Sequence, residues 1–357
     1  MKNRPLWVFL IGSSILFLGI TLLIVWTAWN FLSIPPGTGR DQIVYEVTPG
    51  RPFSKIAEDL QSIGVVRDAR LFSLYARFVG QRGKVKVGEY GFTESMVPSD
   101  VLSILTSGKS ITRPFTVVEG WNIFDIAAAW EKSGFGKSSE FLSFVRDPSV
   151  VRQILGEELP SLEGYLFPET YQITKYTGLD GLIRLMVNKF NSVWSDLESK
   201  YRIPDGWSKK KIVVLASLIE KETGAPEERR TISAVFHNRL KKGMRLQTDP
   251  TIIYGIAIES GVVPINITKA DILRPTAYNT YTIYGLPPGP IANPGRAALE
   301  AALLPTDEPY LYFVSRNDGT HIFSEDYQSH QRAVEEFQKN RKAREGKSWR
   351  DRLKGNK

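Results

Sequence analysis

Cysteine is absent from this chain of 357 residues, which excludes disulfides, a cysteine nucleophile and a zinc–thiolate site. Histidine is scarce: the three that occur, His237, His321 and His330, lie far apart in the sequence. They cannot form a histidine-rich metal cluster without several carboxylate ligands. We therefore expect a protein that works without a metal ion and without a cofactor.

The body of the chain also has little net charge. The formal net charge is +8, but residues 339–357 hold nine basic and two acidic residues and so contribute +7 of it. A protein that binds nucleic acid carries its basic residues on a folded surface, so we expect no nucleic-acid partner. The basic tail is either a solvated end of the chain or a segment attracted to anionic lipid or another acidic polymer.

No charged residue occurs between Arg4 and Arg40, and the stretch 6–29 is almost entirely apolar. A helix needs roughly 20 apolar residues to cross a bilayer, and tryptophans near both ends of the stretch favour the membrane interface. We expect a retained transmembrane helix, because a cleaved signal peptide has a shorter apolar core and a small-residue cleavage site. Lys2 and Arg4 precede the helix, so the positive-inside rule places the N-terminus in the cytoplasm and the rest of the chain outside it.

A sequence repeat at an offset of 70 residues indicates two strand–turn–helix units. The segment 47–60 aligns without gaps on 117–130, with matching glycines and a matching Ile-Ala pair. In the first copy the apolar residues follow the i, i+3, i+4, i+7 spacing of a buried helix face; they are Phe53, Ile56, Ala57 and Leu60. The first copy resembles LysM modules, which hold N-acetylglucosamine polymers. Chance similarity between two ordinary units is the alternative.

Glu220 follows a helical run without charge, Ile212–Ile219. At 100° per residue Glu220 shares a face with Ala216 and Ser217, whereas Glu222 points to the opposite side. Partial desolvation at the edge of an apolar stripe raises the pKa of a carboxyl, and the small residues on this face leave space beside it for a cleft. A protonated carboxyl in a cleft can donate a proton to a glycosidic oxygen. The alternative is that Glu220 begins the solvated end of the helix.

Four further segments combine carboxylates, amides, hydroxyls and aromatic rings. They are Leu162–Tyr171, Gln247–Pro250, Tyr278–Tyr281 and the proline-rich loop Gly285–Gly295. Each also has a plain structural explanation, since Asp249 before a proline can start a turn and the tyrosines can belong to the core. Together the segments indicate a polar, aromatic groove, which suits a polysaccharide better than a nucleotide.

The runs LEGYLFPETY, ASLIEKET, RLQTDPTIIYG and PTAYNTYTIYGLPPGPIANPG resemble the signature segments of the YceG-like (MltG) family of endolytic murein transglycosylases. The resemblance covers the chain from about residue 42 to about residue 337, and the motifs occur in the family's order. It implies that Glu220 is the essential catalytic residue. It also implies a substrate groove, for which our candidates are Glu163, Ser217, Gln247, Asp249, Tyr278, Asn279, Thr280 and Tyr281.

The resemblance implies an activity and a location. The activity is internal cleavage of nascent peptidoglycan strands between N-acetylmuramic acid and N-acetylglucosamine, with a 1,6-anhydro ring formed at the cut and strand elongation ended. The location is the outer side of the cell membrane. The expected partners there are peptidoglycan synthases (penicillin-binding proteins). One alternative is a membrane-anchored protein that binds peptidoglycan without cutting it. Another is a serine hydrolase using Ser217 and Lys221, although these are four residues apart where the Ser-x-x-Lys arrangement needs three.

We therefore predict an α+β fold that combines a transmembrane helix, a small LysM-like βα subdomain and an α+β catalytic domain. The predicted segments are a cytoplasmic N-terminus over 1–5, the transmembrane helix over 6–29, a linker over 30–41, the LysM-like subdomain over 42–112, the catalytic domain over 113–338 and the basic tail over 339–357.

Overall fold

The structure is a computed structural model that describes residues 6–222 and 224–339. The predicted cytoplasmic segment 1–5 and nearly all of the basic tail lie outside the described residues. The chain divides into two compact units, Met1–Arg113 with Gln172–Thr177, and Pro114–Tyr171 with Gly178–Lys357. Within the described ranges six short strands form three two-stranded sheets among many helices. This mixture of helices and small sheets is consistent with the α+β prediction.

The first unit carries the apolar N-terminal helix and a small βααβ core. Its elements are α1 (Leu6–Ser33), β1 (Ile43–Val47), α2 (Phe53–Ser62), α3 (Ala69–Phe78), a 3-10 turn (Arg82–Lys84), β2 (Gly88–Phe92) and α4 (Pro98–Ser107). β1 and β2 pair antiparallel, with Ile43 opposite Phe92 and Val47 opposite Gly88. The predicted apolar face of α2 is buried against α3, β2 and α4, which confirms its helical spacing.

The helix α1 is long and apolar enough to span a membrane over Leu10–Ser33, with a mean hydropathy of 2.2. It runs four residues beyond the predicted end at residue 29, and Phe31 in its last turn is buried in the core of the first unit at 6% exposure. Farther along, the backbone N–H of Gly37 donates to Glu94 O at 3.0 Å. The prediction of a linker over 30–41 is therefore wrong for its first part, because residues 30–33 are helical and Phe31 packs into the fold.

The second unit is mostly helical. Beginning with the strand at the boundary between the units, the elements are β3 (Arg113–Thr116), α5 (Ile123–Lys132), α6 (Ser138–Arg146), α7 (Pro148–Leu155), β4 (Thr170–Ile173), α8 (Gly178–Lys200), α9 (Lys209–Glu222), a 3-10 turn (Pro226–Glu228), α10 (Arg229–Lys241), α11 (Asp249–Ser260), α12 (Lys269–Leu273), α13 (Arg296–Leu303), β5 (Tyr312–Ser315), β6 (His321–Ser324), α14 (Tyr327–Val334) and a π turn (Glu335–Lys339).

The repeat found in the sequence is a repeat of structure. α2 and α5 each have ten residues and begin 70 residues apart, and each follows a short strand. Gly50 and Gly120 both adopt the left-handed conformation, with φ of 75° and 76°. The two segments therefore form the same strand–turn–helix unit, and both interpretations of the sequence similarity are compatible with it.

Helix α9 is the centre of the second unit and packs against α10, α11 and α13. Every side chain from Ile212 to Ile219 is buried. An apolar run that is covered on all sides belongs to a core helix, so the residues at its C-terminal end are held in a fixed position. Glu220 is the first acidic residue after this run.

Candidate active site

Glu220 is held in place at the end of α9 and is not solvated. Only 6% of its side chain is exposed. Its Oε2 accepts a hydrogen bond from the backbone N–H of Gly295 at 2.9 Å, and its Oε1 lies 3.6 Å from Nη2 of Arg229. The alternative that Glu220 begins the solvated end of the helix is therefore wrong.

The surroundings of Glu220 favour its protonated form. Burial raises the pKa of the Glu220 carboxyl, and the nearby charge of Glu119 raises it further. The Gly295 N–H and the Arg229 guanidinium act in the other direction, but the pKa remains above its ordinary value. Glu220 is therefore suited to give up a proton to a reacting group, and the resulting carboxylate has a donor and a cation beside it.

A cavity of about 380 Å³ adjoins Glu220. Its other lining residues are Glu119, Gly120, Lys221, Glu222, Gly224 and Arg229. The φ of 76° at Gly120 favours glycine, whereas a Cβ there would only make ordinary contact, 3.6 Å from Glu220 Cγ. The cavity thus places two further carboxylates, those of Glu119 and Glu222, and one guanidinium beside the buried carboxyl of Glu220.

Asn293 connects the loops around this cavity. Its Oδ1 accepts from the backbone N–H groups of Gly164 and Leu166, at 2.9 and 3.0 Å. Its Nδ2 donates to Trp121 O at 2.9 Å and to Glu163 Oε1 at 2.8 Å. The Gly120 N–H donates to its carbonyl oxygen at 3.0 Å. The side chain and the backbone of this one residue therefore connect three segments that are distant in the sequence, and its backbone binds Gly120 beside Glu220.

Glu163 lies inside the fold and not in a groove. It is buried, and its Oε2 accepts from the backbone N–H of Ile123 at 2.9 Å. Burial raises the pKa of Glu163 to about 8, so this side chain is mostly neutral near pH 7. The prediction that Glu163 lines a substrate groove is corrected by this burial. Its carboxyl instead accepts a hydrogen bond from Asn293 inside the fold.

Ser217 is also fully buried. Its hydroxyl donates to Val214 O at 2.7 Å and accepts from the Ile291 N–H at 3.0 Å. The space expected beside Ala216 and Ser217 is therefore filled by the proline-rich loop, and Ser217 cannot line a cleft here. Lys221 Nζ donates to Gly120 O at 3.1 Å, so the structure offers no Ser217–Lys221 pair for a serine hydrolase.

Gln247, Asp249 and Tyr281 come together at a second cavity of about 460 Å³. The Tyr281 hydroxyl donates to Asp249 Oδ1 at 2.7 Å. The rings of Tyr312, Phe313, Tyr327 and His330 also line this cavity. Carboxylate, amide and flat rings side by side are the groups that bind sugars, and these three predicted residues are accessible to a ligand.

Glu222 lines both cavities. It lies within the fold, where burial raises the pKa of its carboxyl, and it accepts a hydrogen bond from the Thr248 hydroxyl. The helix geometry predicted that Glu222 would face away from Glu220. The Glu222 carboxyl contacts Thr248, just before α11, and forms part of the wall of both cavities.

Tyr278, Asn279 and Thr280 do not line either cavity. All three are buried. The Asn279 amide donates to backbone oxygens of residues 271–274, the closest being Arg274 O at 2.7 Å, and the Thr280 hydroxyl accepts from the Thr248 N–H at 3.0 Å. The prediction that they line the groove is corrected accordingly, because their polar groups are used to hold the segment that ends in Tyr281.

Comparison with known proteins identifies the family of the chain. The sequence profile of the YceG-like family matches residues 45–336. The chain belongs to the YceG-like family. It is 33% identical over 307 residues to the endolytic murein transglycosylase of Bacillus subtilis strain 168, covering 82% of this chain and 83% of that protein. It is 29% identical over 332 residues to the endolytic murein transglycosylase of Streptococcus pneumoniae D39, covering 83% of this chain and 58% of that protein.

A solved structure supports the family assignment. The chain matches the crystal structure of a YceG-like protein from Listeria monocytogenes with a TM-score of 0.54 at 30% identity. The match covers 83% of this chain and all of that one. The resemblance seen in the sequence motifs is thus confirmed at the level of the family.

Sequence reasoning missed four residues of the site: Glu119, Glu222, Arg229 and Asn293. Glu119 lies in the turn of the second repeat copy and Asn293 in the proline-rich loop, so both segments were found but not these roles. Arg229 begins the helix after α9, and no pattern in the sequence connects it with Glu220. Within the described residues no group of three or more metal-binding side chains occurs; the expectation of no metal and no cofactor stays a prediction.

Proposed function

We propose that this protein is an endolytic murein transglycosylase with Glu220 as its catalytic acid and base. The observation that supports this most is the buried Glu220 carboxyl beside an open cavity, with its pKa raised and with Gly295 and Arg229 in reach. The names of the bacterial relatives agree with the proposal. The substrate is then peptidoglycan, cut at the bond from N-acetylmuramic acid to N-acetylglucosamine.

In the first step, protonated Glu220 donates its proton to the glycosidic oxygen as the C1–O bond breaks and positive charge grows at the anomeric carbon. The Glu119 carboxylate in the same cavity stabilises that positive charge. Loss of the proton leaves Glu220 negatively charged. The Gly295 N–H and the Arg229 guanidinium stabilise this carboxylate form.

In the second step, the Glu220 carboxylate takes the proton of the muramic C6 hydroxyl, whose oxygen attacks the anomeric carbon. The product is a 1,6-anhydro ring, and Glu220 returns to its protonated form. No water is consumed, and a single carboxyl serves as acid and then as base. The accessible side chains of Gln247, Asp249 and Tyr281 bind a neighbouring part of the glycan strand in the second cavity.

The proposal extends to the setting of the reaction. α1 is a single-pass membrane anchor, with the N-terminus in the cytoplasm and both units outside it. The βααβ core of the first unit is a LysM-like element that binds the glycan. An anchored enzyme of this kind meets strands as they leave the membrane, so cleavage ends their elongation, and peptidoglycan synthases are its partners.

The test is to digest purified, uncrosslinked glycan strands with the detergent-solubilised full chain in water enriched in heavy oxygen, and to analyse the ends by mass spectrometry. Transglycosylation predicts 1,6-anhydro ends without the heavy oxygen. A hydrolase predicts reducing ends that contain it, and Glu119 is then the second carboxylate to consider because it lines the same cavity. Strands that bind the protein and stay uncut favour the non-catalytic alternative.

A further inference from the structure

Helix α3 of the first unit has an apolar face that no part of the described chain covers. Ala69, Phe72 and Ala76 are buried and point into the core. Leu71, Leu74 and Phe78 lie opposite them and are 40%, 63% and 89% exposed. Their spacing of three and four residues places them in one stripe along the helix. Two leucines and a phenylalanine exposed in one row form an apolar surface patch, which is typical of a site that binds a membrane or another protein.

The segment of the chain that contains this stripe is strongly basic. The segment from Arg67 to Lys86 contains six basic residues and one acidic residue, a net charge of +5. All six basic residues are exposed, and Arg70 and Arg77 lie along one side of the stripe on α3. An apolar stripe bordered by arginine is typical of helices that lie in the interface of a bilayer with anionic lipids.

The start of α3 is attached to the end of α1. Arg67, two residues before α3, donates from Nη1 to Asn30 Oδ1 at 3.1 Å and from Nη2 to Pro35 O at 2.9 Å. Phe31 is buried in the same core as Phe72. A helix that spans the membrane and ends at Ser33 therefore carries the first unit directly on its last turn, and α3 begins beside the point where the chain leaves the bilayer.

We propose that the outer face of α3, formed by Leu71, Leu74 and Phe78, binds the surface of the bilayer that α1 spans. The apolar side chains enter the boundary between headgroups and acyl chains, and the arginines contact anionic headgroups. This inference rests on the proposed anchoring by α1. The net charge and the attachment to the anchor favour a lipid surface over a second copy of the chain, whose own α3 face would bring like charges together.

The chain has no cysteine, so a single introduced cysteine can carry an environment-sensitive fluorophore. The full-length variants Leu74→Cys, Phe78→Cys and Trp29→Cys are labelled and placed in nanodiscs that hold either one copy or two, with either anionic or zwitterionic lipids. Quenching by brominated acyl chains and by iodide in the water is then measured. Trp29→Cys, at the end of α1, reports whether the anchor is inserted.

We expect the labels at positions 74 and 78 to be quenched by brominated lipid and protected from iodide, since interfacial helices lie about 5–10 Å into the headgroup boundary. Protection is expected to be stronger with anionic lipid and to weaken when Arg70→Gln and Arg77→Gln are added. The Trp29→Cys label is expected to be quenched equally in both lipids.

Three results would overturn the proposal. Iodide access at position 78 with lipid quenching at position 29 means that the anchor is inserted and α3 is not at the membrane. Protection at position 78 from both quenchers, or only in nanodiscs with two copies, means that protein covers the face. No lipid quenching at position 29 refutes the anchor itself, and that outcome is thereby distinguished from a failure of α3 alone.

Discussion

At the scale of single residues, Glu220 is surrounded by groups that act in opposite directions on its charge. Burial and Glu119 favour the neutral acid, whereas the Gly295 N–H and Arg229 favour the carboxylate. A residue that must donate a proton and then accept one needs both forms to be accessible. Removing the charge of Glu119 and removing the charge of Arg229 therefore shift the pKa of Glu220 in opposite directions.

The first prediction concerns Arg229→Gln and Glu119→Gln. Removing the Arg229 charge raises the pKa of Glu220, and removing the Glu119 charge lowers it. Because the protonated form starts the reaction, the alkaline limb of kcat/KM moves to higher pH in Arg229→Gln and to lower pH in Glu119→Gln. The measurement is the pH profile of glycan cleavage for both variants beside the wild type. Shifts in the same direction would show that another group controls this limb.

The second prediction concerns Glu163, whose pKa is about 8 in the folded protein against an ordinary value of 4.5. The folded state holds the proton more tightly than the unfolded state between these values, so the free energy of unfolding falls as pH rises from 4.5 to about 8. Glu163→Gln cannot ionise and keeps the shape of the neutral acid.

Urea unfolding over this pH range checks the second prediction. The variant is expected to lose less stability than the wild type as pH rises. It is expected to be less stable than the wild type at the acidic end, because both oxygens of Glu163 accept hydrogen bonds and the amide nitrogen of glutamine cannot. Parallel curves for the two proteins would mean that Glu163 is ionised in the fold already, against the cause given for its pKa.

At the scale of elements, the loop Gly285–Gly295 determines the geometry of the site. Ile291 binds Ser217 in the middle of α9, Asn293 binds the two loops beside it, and Gly295 binds Glu220 at the end of α9. The prolines of this loop restrict its backbone, so its donors are held in place before a substrate arrives. Helix α9 and this loop therefore act as one structural element.

The third prediction tests this packing through two glycines with left-handed backbones, Gly164 and Gly156. A Cβ at Gly164 would lie 2.5 Å from Pro290 Cγ and 2.9 Å from Val213 Cγ1, whereas a Cβ at Gly156 meets nothing within 4 Å. Gly156→Ala is expected to cost about 1–2 kcal/mol from the backbone alone, and Gly164→Ala about 3–5 kcal/mol in total because overpacking is added. Denaturant midpoints of the two variants measure the difference. Equal losses of stability in the two variants would show that the proline-rich loop accommodates the added methyl group without a cost in free energy.

Elements with a clear period were predictable from the sequence. The helical faces of α2 and α9 and the repeat of the strand–turn–helix unit follow from spacing within one segment. The burial of Asn279 and Thr280 did not follow, because their partners are backbone groups and hydroxyls brought together by the fold. For the same reason the helix face of Glu220 was predictable, whereas its contacts with Arg229 and Gly295 were not.

At the scale of the whole molecule, the apolar helix α1 and the first unit are continuous. The sequence shows a polar, proline- and glycine-rich stretch after the apolar run, which is typical of a linker. What it does not show is that Phe31 fits the core and that Arg67 binds Asn30 and Pro35, because these contacts depend on segments more than thirty residues apart.

The fourth prediction compares soluble fragments that begin at Thr27 and at Gly37. The longer fragment keeps Phe31 and Asn30, and burial of a phenylalanine contributes about 1.5–3 kcal/mol. The shorter fragment is expected to have a less stable first unit, with faster amide hydrogen exchange in α2 and unchanged exchange in α9. Equal protection of α2 in both fragments would mean that the last turn of α1 does not support the fold.

Comparing cleavage rates of variants tests the claim that Glu220 performs the proton transfers. The rate at which the full chain releases 1,6-anhydro ends from glycan strands is compared for the wild type, Glu220→Gln and the matched control Glu119→Gln. Glu220→Gln is predicted to lower the rate by about 10²–10⁴-fold, the usual contribution of an acid–base residue, with its thermal unfolding unchanged. Glu119→Gln is predicted to lose less activity than Glu220→Gln, because it removes charge stabilisation but not the proton donor, and to show a shifted pH profile. A Glu220→Gln protein that cuts at nearly the wild-type rate would contradict the claim.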